Sequence, residues 1–478
     1  MTVLLPHLRV FRVLLRHFIQ QFFVSESIVP GSEGYRSTVP VLAVLTAPGL
    51  FIPLFWLLPV YAGLAAYPIE TQQLVIRYHQ FFFITLSMAL ACCVALVHWD
   101  RLFLTGRDCS ILKPLPIPQV ELYASKLVAL FLYAATFTGA VNFFSVILFP
   151  GVARFRAVEP GSGLDFFWGH AAGVFGGSLF VFFLVVTVQG VILSLCRWRA
   201  GSILRLVQMS ILLLLMLLFS LYGSLFESWE VVTGRLSWVQ FLFPPFWFLG
   251  LAQTVAGANE PELVRLGLLA QWALGFVLLL GSALQLTVRR EERLSDQDMG
   301  SVFLRGVQSA VNRFWTGYCL RTPVERGTVF FLVKTLMRSP RQRLILVGFV
   351  GLGLGLSMAS GWPFSSSVLA DGIERDLFAI PQILTFFLIV GMRTAFSDPA
   401  EPAARWLFLL TLDSPGSRYL AGARKLMVAA AVALLLLLTP VHVYLWGWTL
   451  AVLQFGFSLV LALTLIEIVL FGFHRIPF

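Results

Sequence analysis

Residues 111–150 read ILKPLPIPQVELYASKLVALFLYAATFTGAVNFFSVILFP. Pro114, Pro116 and Pro118 fix the backbone of the first part and remove three N–H donors, so no helix forms before Gln119. From Gln119 the pattern turns helical, passes Lys126 and continues to Pro150 without another charged side chain. About 20 apolar residues suffice to cross a hydrocarbon core, so this run reads as a membrane span. A stiff, lysine-ended loop therefore feeds directly into a membrane helix. The question is what such a loop serves.

Runs of the same kind recur along the chain. Ten apolar spans are expected, at 39–62, 80–98, 126–150, 167–196, 203–226, 264–288, 343–361, 377–395, 425–445 and 449–473. Of the 478 residues, 58% are hydrophobic and 12% charged, and mean hydropathy is +0.85. A soluble domain has about 45–50% apolar and about 25% charged residues. The 45 phenylalanines and 13 tryptophans suit a bundle with aromatic belts at two interfaces. The fold class is all-α, a polytopic membrane bundle.

The net charge of +10 is distributed by side rather than gathered into a binding patch. Arg9, Arg12, Arg16 and Arg36 precede the first span, and Arg101, Arg107 and Lys113 lie between spans two and three. A dense set from Arg289 to Arg341 follows span six, and another basic loop runs from Arg393 to Arg424. Of the alternate loops, one holds only Arg77, another only Arg235, and HVYLWGW between the last spans has none. Basic loops stay on the cytoplasmic side, so the amino terminus and every second loop are expected inside, in the plasma (inner) membrane. The charge reports topology and gives no reason to invoke nucleic acid.

Before the first span, LRVFRVLLRHFIQQFF plots as an amphipathic helix. Leu8, Phe11, Leu15, Phe18, Ile19 and Phe22 fall on one side, and Arg9, Arg12, Arg16 and Gln20 on the other. Such a helix is expected to lie along the inner leaflet, or to pack on its neighbours. The second half restarts the plan with FFLVKTLMRSPRQR at 330–343, then two spans, then EPAARWLFLLTLDSPGSRYLAGARKLMV. Pro415, Tyr419 and Lys425 there parallel Pro118, Tyr123 and Lys126, with the spacing off by two. This reads as a parallel repeat of six plus four spans. The organisation is then a first unit over 1–288, a linker with an amphipathic helix over 289–329, and a second unit over 330–478. In SWVQFLFPPFWFLGLAQTVAG at 237–257, Pro244 and Pro245 argue against an eleventh crossing. Two short helices at the outer interface, anchored by residues such as Trp247, are expected instead.

No catalytic signature emerges. GSEGYRST at 31–38 lacks the lysine of a phosphate-binding loop, and no HExxH or GxSxG is present. The five cysteines have no metal-ligand spacing and the seven histidines are scattered, with His170 and His442 the two that merit attention. No metal is expected. GLGLGLSM at 351–358 reads as a close helix contact. Glu467 is the one carboxylate deep in an apolar run, either hydrogen-bonded structurally or part of a relay. With so few ionisable groups along the spans, energy for any transport is expected from elsewhere.

These features together resemble the permease subunits of ABC-2-type (type V) exporters. The resemblance rests on the amino-terminal elbow helix, the loop LPIPQVELYASK between spans two and three, and the outer segment FPPFWFLGL between spans five and six. RSPRQR and LDSPGSRYLAGARK extend it more weakly into the second half. It implies that the loop contacts a separate ATP-binding subunit, itself a dimer, and that ATP is bound there and not by this chain. It implies further that the bundle exports a lipid, glycan, peptide or drug. On that reading Pro116, Pro118, Glu121 and Lys126 couple the first half to the partner, with Arg418 and Lys425 in the second. Family permeases commonly have six spans, and FGFHRIPF follows the last span abruptly, so the reading frame is expected to stop short of a final helix pair. A membrane scaffold that recruits an ATPase would need the same loops. An integral membrane enzyme on lipid-linked substrates would need converging acids or histidines that the sequence does not offer.

Overall fold

The computed structural model describes residues 4–23, 34–64, 66–112, 114–154, 163–196, 200–221, 238–287, 322–361, 370–397 and 416–471. Among the described residues every regular element is helical, and nine helices are long and apolar enough to cross a membrane. The protein is a multi-pass all-α bundle. The linker helix expected at 303–318, and Leu412 to Pro415 of the second proline loop, fall outside the described residues.

The last of the nine, Tyr419–Phe471, contains two of the expected spans. Spans nine and ten are present as the two helical arms of Gly416–Phe471, which meet at Gly447 (φ 78°, ψ 173°) without an intervening loop. Glycine alone adopts that backbone without strain, so helix resumes immediately after a sharp reversal. The reversal is evident from Arg424 and Glu467, which lie 43 positions apart and yet bond at 2.8 Å. A straight helix would separate them by about 65 Å.

The chain divides into two compact units, residues 1–204 with 222–294 and residues 205–221 with 295–478. The first contains α1 (Leu4–Phe23), α2 (Gly34–Phe51), a π-helical turn (Ile52–Leu57) and α3 (Leu58–Leu64). It continues with α4 (Ile69–Val97), α5 (Trp99–Leu102), α6 (Gly106–Leu112), α7 (Gln119–Arg154) and α8 (Gly163–Leu195). After α9 (Ala200–Ser220), most of which belongs to the second unit, it resumes with α10 (Trp238–Leu242), α11 (Pro244–Val255) and α12 (Pro261–Thr287).

Helix α8 is the hub, packed on α4, α7, α11 and α12. Its glycines make this possible. A Cβ on Gly169 would collide with the carbonyl oxygen of Ala252, and one on Gly173 would lie 2.9 Å from the Ala252 Cβ. On the far side of α11, a Cβ on Gly250 would meet Leu266 Cβ at 2.6 Å and Leu263 O at 2.7 Å. Helix α11 is therefore wedged between α8 and α12 at backbone contact, the small-residue packing expected where burying side chains from lipid gives little drive. The break expected at the paired prolines is present: Phe243 is extended (φ −105°, ψ 102°) between α10 and α11, with a proline in the first turn of α11. Trp247 ties the two pieces by donating its indole N–H to the carbonyls of Gln240 and Phe241, at 3.2 and 3.1 Å.

The second unit holds the rest of α9 with α13 (Pro323–Arg338), α14 (Pro340–Gly361), α15 (Ala370–Ser397) and α16 (Gly416–Phe471). The glycine run at 351–355 seats α14 between two helices. A Cβ on Gly351 would lie 3.3 Å from Met216 of α9, and one on Gly353 would lie 3.1 Å from Phe387 of α15. The core joins Leu332 of α13, Ile389, Met392 and Phe396 of α15, and both arms of α16 through Ala423, Met427, Ala462 and Ile466.

Candidate functional site

The loop that raised the first question leads into the longest unbroken helix of its unit. Helix α7 has 36 residues, about 54 Å at 1.5 Å per residue, against about 30 Å of hydrocarbon core. Several turns must therefore stand clear of the apolar layer. Its start is set by Pro118, whose carbonyl accepts from the backbone N–H groups of Glu121 (3.0 Å) and Leu122 (3.3 Å). Just before it, the N–H of Ile117 donates to Leu115 O at 2.7 Å. Pro116 and Pro118 are exposed, Glu121 is half-buried, and Val120 at 76% exposure, with Ile111 and Leu115, forms an apolar rim.

Lys126 is placed differently from the rim. Its side chain is only 1% exposed and points under α1. The ammonium donates to Gln21 Oε1 at 2.8 Å and lies over the rings of Phe18 and Phe22, 4.8 and 4.5 Å from their centroids. Gln21 in turn donates to both oxygens of Asp108 at 3.3 and 3.2 Å, and its backbone carbonyl accepts from Arg101 at 2.7 Å. Asp108 is held by a reciprocal cap of α6: it accepts from the Thr105 N–H at 3.0 Å while Thr105 Oγ1 accepts from the Asp108 N–H at 3.1 Å. A buried ammonium is tolerated only with such company. Two aromatic faces supply attraction that water would otherwise provide, about 0.5–2 kcal/mol each.

The elbow, α6 and the third span are thus tied at one point. The apolar stripe of α1 serves this docking, with Leu14, Phe18 and Phe22 buried and Phe22 stacked on Tyr133 of α7 at 4.8 Å. Arg9, Arg12 and Arg16 remain exposed on the opposite face.

Compared with protein-family models, curated proteins and solved structures, the chain matches none. Geometry alone carries its functional reading.

In the second unit another lysine is paired with a helix start. Lys425, in the third turn of α16, donates to Glu325 Oε2 at 2.8 Å. Glu325 is the third residue of α13 and completes a capping box with Thr322. In the first unit the lysine meets the elbow helix near its carboxyl end, and in the second near its amino end. Arg418 lies in the first turn of α16. Glu467 is half-exposed and paired with Arg424, joining the two arms of the folded helix. His442 stacks on Trp446, with ring centroids 5.1 Å apart. His170 is fully buried in the first unit. Among the described residues no three His, Cys, Asp or Glu side chains gather as a metal would require.

Gln21, Asp108 and Arg101 did not emerge from sequence reasoning. The T-x-x-D pattern at 105–108 was a legible helix-start signal. Gln21 carried none, because its role depends on a lysine 105 positions away.

Proposed function

We propose that this chain is the transmembrane permease subunit of an ATP-driven exporter of the ABC-2 type, in the plasma (inner) membrane with its amino terminus in the cytoplasm. It couples through the 111–121 loop to a separate ATP-binding subunit, a dimer on this reading, which holds the ATP. The observation that carries the reading is the rigid tie at Lys126. A proline-stiffened loop with an exposed apolar rim is fused to a 36-residue helix and locked to an amphipathic elbow.

A push on Val120 or Pro116 cannot be absorbed locally. The prolines restrict the loop, α7 is continuous, and the elbow is bound through Gln21 to Lys126 of α7 and to Asp108 of α6, which precedes the loop. The displacement passes into the membrane part of α7. In the second unit the Glu325–Lys425 pair would serve the same purpose. Alternating exposure of a polar or amphiphilic cargo then follows from closure of the ATP-binding partner, with no ionisable relay needed along the spans.

Co-purification in mild detergent with the ATP-binding protein encoded nearest the gene tests this. The wild-type chain is expected to co-elute with it. Val120→Glu, and separately Pro116→Ala with Pro118→Ala, are expected to weaken the complex at least tenfold, about 1.4 kcal/mol, as for loss of a central apolar contact. A monodisperse wild-type chain that binds no such protein would overturn the reading.

A further inference from the structure

Within the first unit, the contacts of α8 are of two kinds. Towards α11 they are glycine contacts at backbone distance. Towards α7, and at Ser87 of α4, they are polar, while Gly173 and Gly177 seat Ile84 and Met88 of α4. His170, Val174 and Ser178 fall four apart on one line of α8. Asn142 and Ser145 face them from α7, and Gln80, Phe83 and Ser87 occupy one face of α4. Ser145 Oγ lies 3.1 Å from His170 Nε2, and Asn142 donates to Ser178 Oγ at 3.3 Å. The hydroxyls of Ser87 and Ser178 touch, and both reach the carbonyl of Val174.

A network that only held helices together would satisfy its members. This one leaves one atom over, and a second stands one turn from Phe83 on the same face of α4. His170 and Gln80 are each 0% exposed, and His170 Nδ1 and Gln80 Nε2 have no hydrogen-bond partner in the structure. The other end of Gln80 accepts from Gln253 of α11. Buried polar atoms in an apolar bundle are paired as a rule, and exceptions call for a physical reason.

We propose that the α4–α7–α8 seam is a binding site for an uncharged hydrogen-bonding group, a hydroxyl or carboxamide of a small polar or amphiphilic molecule, anchored by His170. Gln80 Nε2 is a donor and needs an oxygen. His170 Nδ1 is an acceptor in one tautomer and a donor in the other, and a hydroxyl or carboxamide serves both. The strip of Asn142, Ser145, Ser87, Ser178 and His170 carries no formal charge. Arg77, one turn before Gln80 on α4, is already neutralised by Glu260 at 2.5 Å. An ionic guest would therefore enter the seam without a counter-charge, which a buried site penalises heavily. Phe83 and Phe149, with centroids 5.9 and 4.8 Å from the His170 ring, supply apolar walls for the rest of an amphiphile. With His170 wholly buried, admission requires the helices to part along this polar strip.

The test uses the full chain with its native cysteines replaced and Ser178→Cys added, in phosphatidylethanolamine–phosphatidylglycerol vesicles. The probe is octyl glucoside below its micellar concentration, an uncharged polyol-headed amphiphile, with octanoate as its charged counterpart. The readout is the rate at which N-ethylmaleimide labels the introduced thiol. Octyl glucoside is expected to slow labelling at least fivefold and octanoate to leave it unchanged. His170→Leu and Gln80→Leu, each checked as monodisperse, are expected to abolish the protection. Equal protection by both amphiphiles, none by either, or protection that survives both substitutions would overturn the proposal. No ATP-binding partner is present, so the result is independent of whether one docks on the loop.

Discussion

Gly169→Leu and Gly250→Leu are expected to prevent the first unit from assembling, leaving aggregated chain in place of a monodisperse detergent peak. The side chain at 169 would be built into the carbonyl of Ala252, and that at 250 into Leu263 O and Leu266 Cβ at 2.6–2.7 Å. Backbone atoms on two helices cannot rotate away as a side-chain tip can. Relief requires α11 to leave its wedge, taking with it the aromatic contacts of Phe246 and Phe248 that bury α4 and α8. Overpacking a core costs about 1–3 kcal/mol where neighbours can yield, and more where they cannot. Gly139 and Gly275 provide the internal comparison, since a Cβ at either meets nothing within 4 Å. Alanine there is expected to be neutral or to stabilise by up to about 1 kcal/mol through helix propensity. Size-exclusion profiles and melting of the four single variants separate the classes. Similar behaviour of all four would contradict the packing described.

The second large effect is expected at Gln21. Gln21→Leu removes the oxygen that accepts from Lys126 and the amide that donates to Asp108 in one step. It leaves an ammonium and a carboxylate buried apart. Breaking a buried ionic arrangement by removing one member costs about 3–5 kcal/mol. Lys126→Met should cost less, because it removes the buried charge itself and keeps a similar apolar volume. The order matters more than the size: the loss of a neutral glutamine is expected to destabilise more than the loss of the lysine. Thermal melting of the two variants in the same detergent gives that order directly. If Lys126→Met proves the more damaging, the ammonium contributes attraction that Gln21 does not explain.

Much of the architecture was legible because membrane insertion imposes a coarse code. Long apolar runs and the break at Pro244–Pro245 both act locally. The two arms on either side of HVYLWGW were legible as spans nine and ten, but that they meet at the single residue Gly447 was not, since nothing in an apolar run marks a reversal without a loop. The position of Lys126 was legible, but its direction was not. A lysine at the mouth of a span reads equally as a contact for a partner or as a buried tie, and only the rings of Phe18 and Phe22 decide. The seam at His170 escaped for the same reason: serine, asparagine and histidine single letters spread over α4, α7 and α8 acquire meaning when they meet.

On the proposed function, the exposed rim of the 111–121 loop is a docking face for an ATP-binding subunit. Its most direct test is a photocrosslink from Val120→Cys carrying a benzophenone maleimide, made in native membranes and identified by mass spectrometry of the adduct. A peptide of an ATP-binding-cassette subunit is expected to be joined to position 120, with no such adduct from a control Val13→Cys on the exposed flank of α1. An adduct at position 120 confined to lipid, or to proteins without a nucleotide-binding fold, in membranes where that subunit is present, would contradict the docking face.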